Sequence, residues 1–405
     1  MRRSGGTTVI LSILLVLGLL LSAAPGWGSA EALTADWQPT GLVEPVRQLY
    51  TPASGAFFAR TASGLQRSDD GGATWAEVGL PPQAPNQPAP ELVVDPIDHT
   101  TIYAGGIEGL YKIQDDAATW SVALPTAGLA GTTRVLAVAV SPADRQLVYV
   151  GSSGPSISSD FRFMRSQDGG QSWQQLEEHH NSLCGWGISI LQPHPTDPAR
   201  LYRAGGCHAG RSFNEQLWSS PDQGATWAPI FEAPIGPGSF SDPRNAYPDL
   251  LVGGQGAQPA RFYLAAHRDP RLLGGGSLFR SDDEGATWNE VLAFRIGQTL
   301  SEPAAPLACT PGSGCDQQAP TVRLDGLTYD PSAPEHLFVG LNEYNSSGYQ
   351  RARNGSQVLA SADSGTTWTA LGSTNPGEIH DLALGIDGTS LYAATDRGVW
   401  RLALR

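Results

Sequence analysis

Eleven side chains of this 405-residue sequence have types and placements that could do chemistry. Asp249, Asp325 and Asp381 are the carboxylates that could flank a scissile glycosidic bond, a reaction that needs an acid/base or nucleophile pair. Arg47, Arg134, Arg211, Arg323 and Arg351 offer planar forks that grip a carboxylate with two hydrogen bonds. Trp186 and Tyr344 offer flat faces for a sugar ring, and His380 stands beside Asp381. The same composition would also make a rim of ion pairs that satisfy one another. Which reading applies depends on the elements that position these groups.

Charge and composition remove several classes. Asp+Glu 39 against Lys+Arg 25 gives a net charge of −14, so a nucleic-acid partner is not expected. Lys112, the only lysine, sits in Leu-Tyr-Lys-Ile with no glycine loop before it, which excludes a Walker-type phosphate site. Gly 48 and Pro 31 in a chain with 16% charged residues describe turn-rich globular structure. No cofactor is implied.

Arg2 and Arg3 precede an apolar run, Val9–Ala24, and then small residues, the layout of a secretory signal over residues 1–32. The run is shorter than the roughly 20 residues that span a bilayer. Cleavage and an extracytoplasmic mature chain without a membrane span are expected, with an uncleaved N-terminal anchor as the alternative. Four cysteines suit that compartment: Cys309 and Cys315 could close a small loop, and Cys184 and Cys207 flank a predicted hairpin. Neither pair has metal-type spacing, so no metal site is expected.

An eight-residue motif, Ser-x-Asp-x-Gly-x-Thr/Ser-Trp, recurs five times, its aspartate and tryptophan being Asp70 and Trp75, Asp168 and Trp173, Asp222 and Trp227, Asp283 and Trp288, and Asp363 and Trp368. A decayed copy keeps Asp115, Thr119 and Trp120. Each copy reads as a hairpin turn, the aspartate accepting turn amides, the glycine taking positive φ and the ring buried beneath. A Pro-bearing turn such as Asp95-Pro96 or Ser141-Pro142 precedes the motif by one strand pair. The unit is therefore strand, Pro turn, strand, variable loop, strand, motif turn, strand: one four-stranded propeller blade. Six tryptophans end six blades. Three further β-runs after Glu378 lack a fourth strand, which Asp36-Trp37-Gln38-Pro39-Thr40 can supply. One all-β domain over 33–405, a seven-bladed propeller sealed by its own N-terminal strand, is the expected fold.

The motif resembles the Asp-box (bacterial neuraminidase repeat) family of β-propellers. That family includes sialidases, but their arginine triad cannot be transferred residue by residue: the string nearest to Arg-Ile-Pro is Arg295-Ile296-Gly297, and the early arginine has only Arg47, in Val46-Arg47-Gln48, as a loose counterpart. Xyloglucan-type hydrolases of the same superfamily pair two seven-bladed rings around a cleft, and this chain has residues for one. In its single exported ring it is similar to the photosystem II assembly factor group, and more distantly to sortilin.

Excess length collects opposite the motif turns, at 151–162, 205–216, 266–276 and 342–357 within blades and at 232–247 and 295–322 between them. Long loops on a rigid ring are where binding groups gather. The expected function is a monomeric, non-catalytic propeller binding a glycan or protein through that face. A sialidase-like glycoside hydrolase and an assembly factor for a membrane complex are the alternatives.

Overall fold

A computed structural model describes residues 35–404 except 53–54, 82–90, 99, 107–108, 115–118, 126–133, 154–160, 180–186, 210–211, 233–248, 254–259, 268–273, 296–299, 301–320, 348–349 and 373. The described residues form 28 strands, no helix, and seven antiparallel four-stranded sheets. Blade one is β2–β5 (Val46–Glu77), blade two β6–β9 (Leu92–Pro125) and blade three β10–β13 (Arg134–His179). Blade four is β14–β17 (Gly187–Glu232), blade five β18–β21 (Asp249–Arg295) and blade six β22–β25 (Thr321–Leu371). Blade seven joins β26–β28 (Ile379–Ala403) to β1 (Gln38–Pro39), so the ring closes as its sequence requires.

The closing strand is only two residues long, Gln38 opposite Arg401 and Pro39 opposite Trp400. Most of the closure energy lies beside it. Trp37 is 3% exposed in a cluster shared by blades six and seven, and its amide donates to Thr374 Oγ1 at 3.1 Å. Thr40 N donates to the Val399 carbonyl at 2.9 Å, and Val399 N to the Leu42 carbonyl at 3.1 Å. The core is divided in the same way around the ring, as seven apolar clusters wedged between neighbouring sheets.

The repeated motif is one hydrogen-bonded object in all five intact copies. In the first, Ser68 Oγ donates to Asp70 Oδ1 (2.8 Å) and accepts from Gly72 N (2.8 Å), while Asp70 accepts from Thr74 N (2.8 Å) and Thr74 Oγ1 (2.6 Å). Such charge-assisted bonds hold the Asp70 carboxyl down at about 2. The tryptophans differ from expectation: they are half-buried, each against a different interblade cluster. Trp173 and Trp288 donate to Ala123 and Ile230 carbonyls of the preceding blade, at 3.0 and 2.9 Å. They act as mortar between blades. The residue before the motif glycine also has positive φ, a glycine in two copies but Gln223, Glu284 and Ser364 in the others. Asp115 lies outside the described residues.

A second interblade device was not legible as a motif. Tyr103 and Tyr392 reach into the next blade's motif turn, donating to the Gly169 carbonyl at 2.8 Å and the Gly71 carbonyl at 3.0 Å. Lys112 also donates to the Gly169 carbonyl at 3.0 Å, and Arg280 to the equivalent Ser364 carbonyl at 2.8 Å. The structurally matching position is Tyr149, Tyr202 and Tyr263 in three more blades. It is phenylalanine only at Phe58 and Phe338, whose following blades carry the decayed motif and none. A tyrosine stands wherever the next blade has an intact turn, but the bond is made by Tyr103 and Tyr392, while the Tyr202 and Tyr263 hydroxyls are buried without a hydrogen-bond partner.

Candidate functional site

The first strand of each blade faces the axis, and these seven strands pack against one another around it. A plain ladder would point alternate side chains into the sheets. Five of the seven instead break register with a bulge, at Arg47, Leu136, Ser189, Asp325-Gly326 and His380. A bulge re-aims a side chain without ending the strand. Three of the five bulges carry sequence-predicted site residues. They fall in blades one, six and seven, so the polar part of the axial channel is concentrated there.

Gly326 makes the closest of these approaches. Its φ is +82°, and a Cβ there would stand 2.8–2.9 Å from the backbone of Asp381 and Leu382. That contact brings the Asp325 and Asp381 segments together. Asp381 Oδ2 accepts from Leu49 N of blade one at 2.8 Å, and its Oδ1 from Leu382 N at 2.8 Å. Asp249 Oδ2 accepts from Leu327 N of blade six at 3.0 Å. Both aspartates therefore bridge a blade to the next one. Burial, and for Asp249 also the charge of Asp381, push the Asp249 carboxyl up to about 8; burial pushes Asp381 up to about 7. Both residues are half-buried.

Asp325 Oδ2 accepts from Asn342 Nδ2 at 3.0 Å. Asn342 is fully buried, and it also clamps the Ile379 backbone, donating to its carbonyl at 2.7 Å and accepting from its amide at 2.9 Å. Arg47 Nη1 lies 3.4 Å from His380 Nε2 across the ring-closing seam. Arg323 sits over the Tyr344 ring, 5.9 Å from its centroid, and the Tyr344 hydroxyl donates to Glu378 Oε1 at 2.7 Å. Tyr344 is buried, so it cannot offer an open face to a sugar ring as expected. Sequence reading passed over Glu378 and Tyr50, whose hydroxyl lies 2.8 Å from Gln48 Oε1 and 2.9 Å from the Leu92 carbonyl and has one proton to donate between them.

The structure thus brings Arg47, Asp249, Arg323, Asp325, Tyr344, His380 and Asp381 to one side of the channel. Arg134 and Arg351 are placed only by backbone, on β10 (Arg134–Val140) and β24 (Gln350–Ser361). Trp186 and Arg211 lie outside the described residues, as do residues 1–34 and Cys184, Cys309 and Cys315. Cys207 lies on β15 (Leu201–Ala209), one residue past the Gly187–Gly206 pair of the expected hairpin. Two segments expected as loops are ladders: 205–216 pairs out to Ala209 and Ser212, and 342–357 out to Ser347 and Gln350. Asn342 escaped notice as a strut because it was read as loop. Among the described residues no three His, Cys, Asp or Glu side chains gather as a metal site, and no helix is long and apolar enough to cross a membrane.

No family model matches the chain. In sequence it is similar to a xyloglucanase of Paenibacillus sp, 27% identical over 252 residues covering 56% of this chain and 20% of that protein. A xyloglucanase of Hypocrea jecorina is 25% identical over 236 residues, 53% of this chain and 25% of the relative. The matched stretch is therefore a quarter or less of either relative's length. In fold it is similar to an ancestral GH74 enzyme (TM-score 0.55, 14% identity), covering 91% of this chain and 46% of that one. It is also similar to YCF48 bound to D1 peptide (TM-score 0.52, 14% identity), covering 93% and 98%. The structural likenesses establish the propeller, and both of these sequence relatives are xyloglucanases. Sialidase is not among these relatives.

Proposed function

We propose that the protein is an extracytoplasmic, glycoside hydrolase-like propeller acting on a xyloglucan-type polysaccharide at the blade-five to blade-one side of its channel. The observation that carries this reading is the placement of Asp249 and Asp381, carboxyls on the innermost strands of blades five and seven that each accept a neighbouring blade's amide, with burial pushing them up to about 8 and about 7. A general acid must carry its proton at working pH, and burial favours the protonated form of both carboxyls. Asp249, with the higher value, is the proton donor in this scheme and Asp381 the second carboxyl. The likeness to xyloglucanases supplies the substrate class.

The competing role of both aspartates is structural, because each accepts a neighbouring blade's amide. Asparagine separates the two roles, since its carbonyl still accepts that bond while its amide donates no catalytic proton. Release of reducing ends from xyloglucan is expected from the native chain and loss of at least about 100-fold from Asp249→Asn, with a melting temperature near pH 4 equal to that of the native chain. A folded native chain that releases none between pH 4 and 8 rejects hydrolysis.

One observation favours a second reading. The fold match spans 98% of a protein whose structure holds a peptide but 46% of the GH74 enzyme. A ring that binds its ligand without cleaving it would retard on a xyloglucan-containing native gel and show no turnover.

A further inference from the structure

In four blades the side chain just before the proline of the Pro-bearing turn holds that turn. Asp95 Oδ1 accepts from Ile97 N and Asp98 N in blade two, both at 2.9 Å. Ser141 Oγ accepts from Asp144 N at 3.3 Å in blade three, and Asp330 Oδ1 from Ser332 N at 2.8 Å in blade six. Blade four puts a histidine in this place. His194 is 7% exposed, and its Nδ1 accepts from Thr196 N at 3.2 Å and from Asp197 N at 3.0 Å. A ring nitrogen accepts only through its lone pair, so the imidazole is neutral, with its proton on Nε2. A second proton must enter at Nδ1, where it turns the acceptor of two amides into a donor that faces them.

The same turn ties blade four to blade five. Arg200, at its end, pairs with Glu284 of the blade-five motif turn, and its Nε lies 3.2 Å from Asp197 Oδ2. The Ala199 carbonyl accepts from Gln223 N, in the motif turn of blade four itself, at 2.7 Å. The groups that face the imidazole are Asp197 and Arg200 from its own turn, Glu284 from blade five, and Tyr202 on β15 (Leu201–Ala209), whose ring centroid is 6.3 Å away. Burial is the largest influence and holds the imidazole below its ordinary value; Arg200 acts in the same direction, and Asp197 and Glu284 oppose it.

We propose that His194 is an acid-sensitive cap, whose protonation at Nδ1 releases the turn at 195–200 and opens the motif-face seam between blades four and five. The proposal is independent of the hydrolase-like reading. With a folded value below the unfolded one, the contribution of His194 to stability is whole above about pH 6.5 and is lost as pH falls through the folded value. Burial has the opposite sense for the channel carboxyls Asp249 and Asp381, so a local measurement is needed to isolate the histidine.

The test is amide hydrogen exchange of the full chain, read by NMR at about pH 7.5 and about pH 5 and corrected for intrinsic exchange. Protection of the Thr196 and Asp197 amides is expected to fall at least about tenfold on acidification, the bias that one unit of depressed pKa supplies. Ile97 and Asp98, capped by Asp95, should keep theirs and serve as the internal control. His194→Asn sets a carbonyl oxygen that does not titrate where Nδ1 stands, and His194→Asp copies the acceptor of blades two and six. Either variant, shown to be folded by its melting temperature at pH 7.5, should hold its protection at both pH values. Equal protection of the native chain at the two pH values would overturn the cap. So would an equal fall in His194→Asn, or an equal fall at Ile97 and Asp98. Xyloglucan turnover plays no part in these readouts, so its absence leaves the result standing.

Discussion

At the residue scale, the chemistry and the mechanics of the channel use the same groups. Asp249 and Asp381 brace blades while being held in the proton-bound form, which ties stability to pH. Their folded values lie above the ordinary carboxylate range, so the native state binds more protons than the unfolded chain between about pH 4 and 8. Their contribution is full below pH 4 and declines as pH rises through 7 and 8. Asp249→Asn is expected to flatten the fall in melting temperature over that window; a slope equal to that of the native chain would show that Asp249 does not titrate there. The motif aspartates behave oppositely, Asp70 and Asp168 being held near 2, so their contribution is lost only as pH falls toward that value. Sequence reading separated these two sets of aspartates by repetition alone. It could not find Asn342 or Glu378, because their roles are contacts with segments 17 to 37 residues away.

At the element scale, each of the five blades with an intact motif is stabilised by its own motif turn, and blades three and five also by a tryptophan bond to the blade before. Ser281 is buried, accepts from Gly285 N at 2.8 Å and donates to Asp283 at 2.8 Å. Ser281→Ala strands that amide and should cost about 1–3 kcal/mol in denaturant melts. Gln223 pays for a left-handed backbone, φ 61°, that glycine adopts freely. Gln223→Gly should therefore be neutral to about 1 kcal/mol stabilising, a residue's left-handed strain set against glycine's extra chain entropy. Tyr392→Phe should cost about 1 kcal/mol because its hydroxyl donates to the Gly71 carbonyl, whereas Phe338→Tyr has no intact motif turn ahead of it and should gain nothing. A cycle in which the two changes have equal effect would remove the latch from the account.

At the scale of the whole molecule, ring closure depends on one short strand and one buried indole. Trp37→Ala should cost about 3–5 kcal/mol, a large part of a domain's net stability, and loosen the edge of blade seven. Hydrogen exchange at Gly398–Ala403 would report this directly; protection equal to that of the other blades would mean that closure does not depend on Trp37. Seven blades and the closing strand were readable from the chain because motif spacing and strand patterning are local. A turn needs its Ser, Asp, Gly and Thr within eight residues, whichever blade it lies in. Which bulges face the axis, which of the three channel aspartates bridge blades, and that Arg47 meets His380 were decided only by tertiary structure. Those contacts join residues as much as 333 positions apart, and their geometry is set by how seven twisted sheets pack around one axis.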